Sequence, residues 1–213
     1  MHFEKFEQNE NLALFYDALK KSKETGEVYN PYALPTQLHF LQQRIRLEKA
    51  VDQQIVLEKE KNKKLLPNER RRAVHVIDRS LFEDNEIFAK NQRDSGLMNE
   101  EEYLQYLELY NKHVDEILKP DLIVYLRPSI ETLQRRIKAR GREMEKDLSK
   151  EYLENLQHRY DYSLEPYLKS KKISLIKCST DEGPESHPED RETRKIETNQ
   201  KILQTIKTEL ELE

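Results

Sequence analysis

The chain has little cysteine, little glycine and no long apolar run. Its single cysteine, Cys178, excludes an intrachain disulfide and is compatible with a reducing compartment. No stretch approaches the roughly 18 consecutive apolar residues of a membrane-spanning helix. The first seven residues are too acidic for a secretory signal or a transit peptide. The sequence therefore predicts a soluble, intracellular protein without a transmembrane segment.

The four glycines do not form a phosphate-binding loop. Such a loop has the pattern G-x-x-x-x-G-K-[ST], in which the last glycine precedes Lys-Ser or Lys-Thr. None of the glycines here has that dipeptide after it; they are Gly26, Gly96, Gly141 and Gly183.

A strong charge of one sign is also lacking, since the net charge is −4. This balance gives no general attraction to nucleic acid, which we therefore exclude as a partner.

The length and charge content favour one helix-rich domain. A chain of 213 residues can bury the core of one sizeable α/β domain. Charged residues make up 37% and hydrophobic residues 36%, a ratio that suits long, solvent-exposed helices. We expect a domain over residues 1–180 and an acidic tail over 181–213, where ten carboxylates accompany five basic side chains. Apolar positions from Ile196 to Leu210 predict a terminal helix in this tail.

Predicted strands alternate with predicted helices. The apolar runs Ala73–Ile77 and Leu122–Leu126 are typical of strands buried on both faces, and 173–176 is a weaker third run. Helical periodicity covers about 11–19, 35–57, 87–92, 99–118, 129–139 and 149–168. Asn99 precedes three glutamates, as expected at a helix start. The fold class is therefore α/β, with a parallel sheet covered by helices on both faces.

A basic segment over residues 58–72 interrupts this pattern. It contains four lysines and three arginines against three glutamates. The segment is either a solvated loop or helix extension, or a docking surface for an acidic partner.

Polar residues that suit phosphoryl transfer follow the first predicted strand. Asp78-Arg79-Ser80 comes directly after Ala73–Ile77, and a later helix ends in a series of arginines, namely Arg135, Arg136, Arg140 and Arg142. A carboxylate and an arginine at a strand end, with a basic helix end elsewhere, are typical of a phosphoryl-transfer site.

Several motifs in a fixed order resemble the deoxynucleoside kinase family. The similarity runs from about Glu4 to Tyr167, and its motifs are Asp78-Arg79-Ser80, 81–84, 99–103, 121–126 and 136–142. Members of this family have a five-stranded parallel sheet with helices on both faces. They transfer a phosphoryl group from a nucleoside triphosphate to the 5′-hydroxyl of a deoxynucleoside.

The resemblance implies roles for side chains on the nucleoside side. Glu4 matches the carboxylate that accepts the 5′-hydroxyl proton, Tyr16 matches a tyrosine that contacts the sugar 3′-hydroxyl, and Gln37 matches the amide that pairs with the base. Asp84 matches a residue that orients the base or a base-contacting arginine, and Glu145 matches a carboxylate that reaches the 3′-hydroxyl. The residues alone also allow Glu4 as an exposed glutamate and Tyr16 as a core aromatic.

The resemblance also implies roles on the phosphate side. Asp78 matches a carboxylate that helps to hold Mg²⁺, and Arg79 matches an arginine that approaches the 5′ end of the substrate. A salt bridge at a strand end is the alternative for this pair. The lid segment, about 135–146, carries the arginines that stabilise the transferred phosphoryl group, namely Arg136, Arg140 and Arg142.

The family's first strand and phosphate loop have no counterpart in these 213 residues. Without the loop we expect no useful activity and no ATP or Mg²⁺ as cofactor. The loss of a central strand would leave unpaired backbone groups in the sheet. Either the neighbouring strands close up, or a strand from another chain or an unrecorded N-terminal segment fills the position.

Three functions follow from these observations. The leading hypothesis is a non-catalytic kinase-like protein that acts as a structural subunit among protein partners. The kinase-like accessory subunit of mitochondrial respiratory complex I is a precedent, since its Gln-Arg-Arg-Ile resembles 134–137, and this resemblance alone favours a mitochondrial location. The alternative is an active deoxynucleoside kinase using ATP and Mg²⁺, with its loop on a missing segment or second chain. The third is a module that binds a deoxynucleoside without catalysis.

Overall fold

The computed structural model describes residues 9–70, 73–181 and 188–210, with only the backbone described at 23, 67 and 188–195. The chain divides into two compact units, one ending at Leu118 and the other beginning at Lys119. This boundary falls inside the single domain predicted over 1–180.

The first unit is helical. Its elements are α1 (Glu10–Thr25), α2 (Ala33–Lys63), a 3₁₀ turn (Pro67–Glu69), α3 and α4 (Glu100–Val114). Helix α3 is one continuous helical stretch of three parts, namely Leu81–Glu83, the wider π-helical turn Asp84–Ala89, and Lys90–Asp94. The helices predicted over 11–19, 35–57, 87–92 and 99–118 are thus present, with shifted ends.

Local signals in the sequence set the helix ends. The Asn9 side chain accepts a hydrogen bond from the Asn11 amide at the start of α1, and Gly26, at φ 76°, ends this helix in a left-handed conformation. At the start of α4, the Asn99 side chain accepts from the Glu102 amide, while the Glu102 carboxylate accepts from the Asn99 amide. This reciprocal pair is a capping box, and it confirms the predicted helix start.

A shared apolar core joins the helices of the first unit. Its buried members come from α1 to α4 and the adjoining turns, and they are Phe15, Ala33, Leu41, Ile45, Leu81, Ala89, Leu97, Met98, Tyr103, Tyr106, Tyr110 and Ile117. The three tyrosines lie on one face of α4, and neighbouring rings in this series stack with centroids 6.4 Å apart. The core therefore fixes α2, α3 and α4 against one another.

The prediction of a buried strand over Ala73–Ile77 is wrong. Residues 73–76 have no regular secondary structure, and only Ile77 makes an isolated strand bridge. Val74 and Val76 are both 49% exposed. A short apolar run does not specify a strand by itself, because a strand also needs a neighbour that completes its hydrogen bonds.

The second unit combines a parallel strand pair with helices. Its elements are β1 (Leu122–Arg127), α5 (Ile130–Arg140), a 3₁₀ turn (Glu143–Glu145), α6, β2 (Ser174–Ser179) and α7 (Pro188–Glu209). Helix α6 is a continuous stretch made of Lys150–Arg159, the π-helical turn Tyr160–Leu164, and Glu165–Ser170. Helix α7 lies where a terminal helix is predicted.

Strands β1 and β2 pair in parallel, with Leu122 opposite Ser174 and Arg127 opposite Ser179. Within residues 9–70, 73–181 and 188–210, this pair is the whole sheet. The strands predicted at 122–126 and 173–176 are therefore present, and the α/β class with a parallel sheet is confirmed. No helix in these ranges has the length and apolarity needed to cross a membrane.

Candidate functional site

Helix α2 carries three polar side chains on its buried face. Gln37, Arg44 and Glu48 are 5%, 2% and 7% exposed, respectively. Their spacings of seven and four residues place them on one side of an α-helix. Because an isolated buried charge is costly, Arg44 and Glu48 need polar partners in the core.

Arg44 forms a buried ion pair with Asp84. The Arg44 Nε lies 3.5 Å from the Asp84 Oδ2, and the two side chains are 1% and 3% exposed. The Arg44 Nη1 also donates a short hydrogen bond to the carbonyl oxygen of Asp78. A single guanidinium on α2 therefore contacts both Asp78, just before α3, and Asp84, the first residue of the π-helical turn.

Glu48 contacts the same segment one helical turn later. Its Oε1 accepts a 2.9 Å hydrogen bond from the backbone amide of Leu81, the first residue of α3. Burial raises the pKa of Glu48 from 4.5 to about 8; the Leu81 hydrogen bond and Arg44 lower this pKa, while Asp84 and Asp52 raise it. The carboxyl is therefore mainly protonated at neutral pH.

The turn formed by residues 78–80 is exposed at its first two positions, Asp78 and Arg79. Arg79 has a φ of 65°, a left-handed conformation that is unusual for a residue other than glycine. Its guanidinium stacks over the Phe88 ring at 4.5 Å from the centroid. The Glu83 carboxylate accepts hydrogen bonds from both the amide and the hydroxyl of Ser80. The turn is thus held from its own helix and from α2.

The beginning of α2 carries two buried polar side chains, Thr36 and Gln37. Among the described residues, the buried Thr36 hydroxyl has no hydrogen-bond partner, and the neighbouring Gln37 side chain is also buried. Tyr16 is partly buried and packs edge-to-face on Phe15, with ring centroids 5.4 Å apart. An amide such as that of Gln37 has both a donor and an acceptor to offer to a ligand, whereas Tyr16 also contributes to the core.

A separate cluster in the second unit joins two of the lid arginines. Glu145 is 6% exposed, and its Oε1 accepts a 3.1 Å hydrogen bond from the Arg142 Nη1. Its Oε2 accepts a short hydrogen bond from the Arg140 Nη2. Arg136 instead donates to the Thr180 hydroxyl at 3.2 Å and to the Thr180 carbonyl at 2.7 Å. The structure thus brings together Arg140, Arg142 and Glu145, but not Arg136.

Glu4 and Asp78 are the remaining predicted site residues. Glu4 lies outside the described residues. Asp78 is exposed and can supply one carboxylate to Mg²⁺, which commonly takes one or two carboxylates together with phosphate oxygens. No group of three or more acidic, histidine or cysteine side chains in the described part of the chain could hold a metal by itself.

The sequence reasoning missed Arg44 and Glu48. Their signal was present, because two charged residues interrupt the apolar side of α2 beside Leu41 and Ile45. A charged residue at a core position indicates a buried polar network, since such a residue is rarely buried without a partner.

Comparison with known proteins gives a consistent result. The family model described as deoxynucleoside kinase matches residues 4–204. Deoxyadenosine kinase from Dictyostelium discoideum is 38% identical over 107 residues, which is 50% of this chain and 42% of that protein. Deoxyadenosine/deoxycytidine kinase from Bacillus subtilis (strain 168) is 40% identical over 88 residues, which is 40% of this chain and 41% of that protein. The matched region thus spans less than half of each relative.

Solved structures extend the similarity over nearly the whole chain. A structure of deoxyadenosine kinase from M. mycoides with products dCMP and a flexible dCDP bound is 26% identical, with a TM-score of 0.57. It covers 96% of this chain and 86% of that one. The same kinase with bound dCTP gives a TM-score of 0.58 at 23% identity, covering 94% of this chain and 84% of that one.

Proposed function

Because the chain belongs to the deoxynucleoside kinase family, we propose that it takes part in phosphoryl transfer from ATP to the 5′-hydroxyl of a deoxynucleoside. The observation that carries this proposal is the buried Arg44–Asp84 pair on the same face as Gln37. The names of the relatives suggest deoxyadenosine or deoxycytidine as the substrate.

Gln37 is the proposed base-recognition group. Its amide offers a donor and an acceptor side by side, which suits the amino group and neighbouring ring nitrogen of adenine or cytosine. Arg44 offers only donors, and Asp84 and the Asp78 carbonyl fix their direction. The burial of both side chains favours a preorganised site, because few rotamers have to be fixed when the ligand binds.

Other residues act on the reacting end of the substrate. We assign the acceptance of the 5′-hydroxyl proton to Glu4 and the approach to the 5′ oxygen to Arg79. Asp78 would hold Mg²⁺, which would neutralise part of the charge of the ATP phosphates, and ATP would donate the phosphoryl group. Arg140 and Arg142 would stabilise the remaining negative charge.

Glu145 is proposed to orient these two arginines, because it binds both of them, and to reach the sugar 3′-hydroxyl. Arg136 would also act on the phosphoryl group. Its contacts with Thr180 would have to be exchanged for phosphate contacts.

The proposal assigns the phosphate loop to residues outside these 213, on a longer form of the chain or on a second polypeptide. The kinase function is favoured over a structural-subunit role because the relatives described above are named as kinases. The link to respiratory complex I, the mitochondrial location and protein subunits as partners stay predictions.

Ligand binding tests the nucleoside side of the proposal. Deoxyadenosine or deoxycytidine in excess should raise the melting temperature, because a ligand that binds only the folded state stabilises it. Gln37→Leu should weaken binding by about 5- to 100-fold, which corresponds to the loss of two hydrogen bonds. Gln42→Leu, at an exposed position of the same helix, is the matched control and should bind normally.

Phosphoryl transfer is then measured with labelled ATP and the bound deoxynucleoside. Label in the nucleoside product above that of an Arg79→Ala variant supports the kinase assignment. Binding without transfer by these 213 residues supports only the nucleoside site. Absence of binding by all four common deoxynucleosides would refute the proposal.

A further inference from the structure

We propose that Glu48 is a positioning residue of the deoxynucleoside site, which holds the start of α3 on α2 and thereby aligns Arg44 with the 78–84 segment. This inference rests on the proposed function. It differs from the roles above because Glu48 acts through the backbone and need not touch the substrate.

The geometry places three polar contacts along one short segment. Arg44 donates to the Asp78 carbonyl at one end and pairs with Asp84 at the other. Between them, Glu48 accepts from the Leu81 amide at 2.9 Å. The contacted positions 78, 81 and 84 are three residues apart, and both contacting side chains come from adjacent turns of α2. Loss of the middle contact would leave this segment attached to α2 only through the two contacts of Arg44.

The charges around Glu48 make this contact sensitive to ionisation. Arg44 and Asp52 of its own helix and Asp84 of α3 influence its pKa through their charges, and the Leu81 amide does so through its hydrogen bond. A protonated Glu48 leaves the Arg44 charge to Asp84. An ionised Glu48 would place a further carboxylate near the same guanidinium and compete with Asp84 for it.

This competition predicts that the affinity for deoxynucleoside falls when Glu48 ionises. Since burial raises the pKa of Glu48 to about 8, the affinity should be highest below that pH. A glutamine at this position retains an acceptor oxygen for the Leu81 amide and has no charge to gain. It therefore imitates the protonated carboxyl at every pH.

The experiment measures the dissociation constant of deoxyadenosine between pH 6 and pH 9, with deoxycytidine as the alternative probe. In the wild-type protein it should rise about three- to tenfold from pH 7 to pH 9. Glu48→Gln should bind like the wild type at pH 7 and lose most of this rise. Glu48→Leu should bind about tenfold more weakly at every pH, since it has no acceptor. Asp52→Asn, one turn further along α2, should keep the rise.

Urea unfolding at the same pH values separates the two proposals. The pKa of Glu48 is raised from 4.5 to about 8 in the folded state. Between pH 4.5 and about pH 8, the folded state therefore binds a proton at Glu48 that the unfolded state has released. The wild-type urea midpoint should therefore fall as pH rises through this window, and Glu48→Gln should reduce the fall. An equal rise in dissociation constant for wild type and Glu48→Gln, or normal binding by Glu48→Leu, overturns the inference.

Failure of the proposed function has a different result. In that case wild-type protein binds no deoxynucleoside at any pH, while the urea midpoints still differ between wild type and Glu48→Gln.

Discussion

Replacement of Arg44 by methionine tests the buried ion pair directly. Methionine is also a long, unbranched side chain, but it has no guanidinium. The Asp84 carboxylate therefore stays in the core without the Arg44 charge. Both side chains are almost fully buried, at 1% and 3% exposure, so solvent can screen little of this loss. The hydrogen bond to the Asp78 carbonyl is lost as well.

The expected cost is large for one substitution. Removal of one member of a buried pair typically lowers the free energy of unfolding by about 3–5 kcal/mol. In a protein of this size, about 1 kcal/mol shifts the melting temperature by roughly 2–4 °C. Arg44→Met should therefore lower the melting temperature by about 6–20 °C.

Urea and thermal unfolding measure this loss, with Lys150→Met as the matched control. Lys150 pairs with Glu154 at 3.4 Å, and both side chains are about half exposed, at 55% and 50%. An exposed pair of this kind contributes only about 0.3–0.5 kcal/mol. Equal losses for Arg44→Met and Lys150→Met would show that the Arg44 pair has no special role in stability.

A double substitution separates the charge effect from the packing effect. If the cost of Arg44→Met comes from the buried carboxylate, the added change Asp84→Leu should recover most of it, because an apolar pair replaces the ion pair. The coupling between the two positions should then be about 3 kcal/mol or more, because each single change leaves the other charge buried without its partner. Additive losses from the two changes would refute the electrostatic explanation.

Two further predictions concern α4. Tyr103→Phe should destabilise the protein by about 1 kcal/mol, because the Tyr103 hydroxyl donates a buried 3.1 Å hydrogen bond to the Asn85 Oδ1. Tyr106→Phe is the control, since the Tyr106 hydroxyl makes no hydrogen bond to any described residue. Equal urea midpoints for the two variants would contradict this reason. Asn99→Ala should cost about 1 kcal/mol and lower the helical circular dichroism, because it removes the Asn99 side chain that accepts from the Glu102 amide in the capping box. Unchanged stability would mean that other contacts fix this helix start.

The helices could be predicted because their signals are local. The capping box of Asn99 marks the start of α4, and the left-handed Gly26 and Gly141 end α1 and α5. The run 122–126 becomes β1 because β2 completes its hydrogen bonds. The similar run 73–77 does not become a regular strand, and no local signal in it distinguishes the two outcomes.

The candidate site could be predicted only in part. The resemblance assigned site roles to Gln37, Asp84 and Glu145, which are all buried; these roles stay predictions. Arg44 and Glu48 were missed because what distinguishes them is their long-range contacts with the 78–84 segment, which is 33 to 40 residues away in the sequence. The helical periodicity of the sequence shows on which face of α2 they lie, but it does not show which segment of the chain packs against that face.

The hydrogen bond of the Leu81 amide to Glu48 affects hydrogen exchange at this position. The first amide hydrogens of a helix have no partner within the helix and ordinarily exchange with solvent water when the end frays. Here the Glu48 carboxyl holds this hydrogen in the interior. Exchange of the Leu81 amide hydrogen for deuterium should therefore require the separation of α2 from α3. The exchange rate at this one amide would then report how often the two helices part in solution.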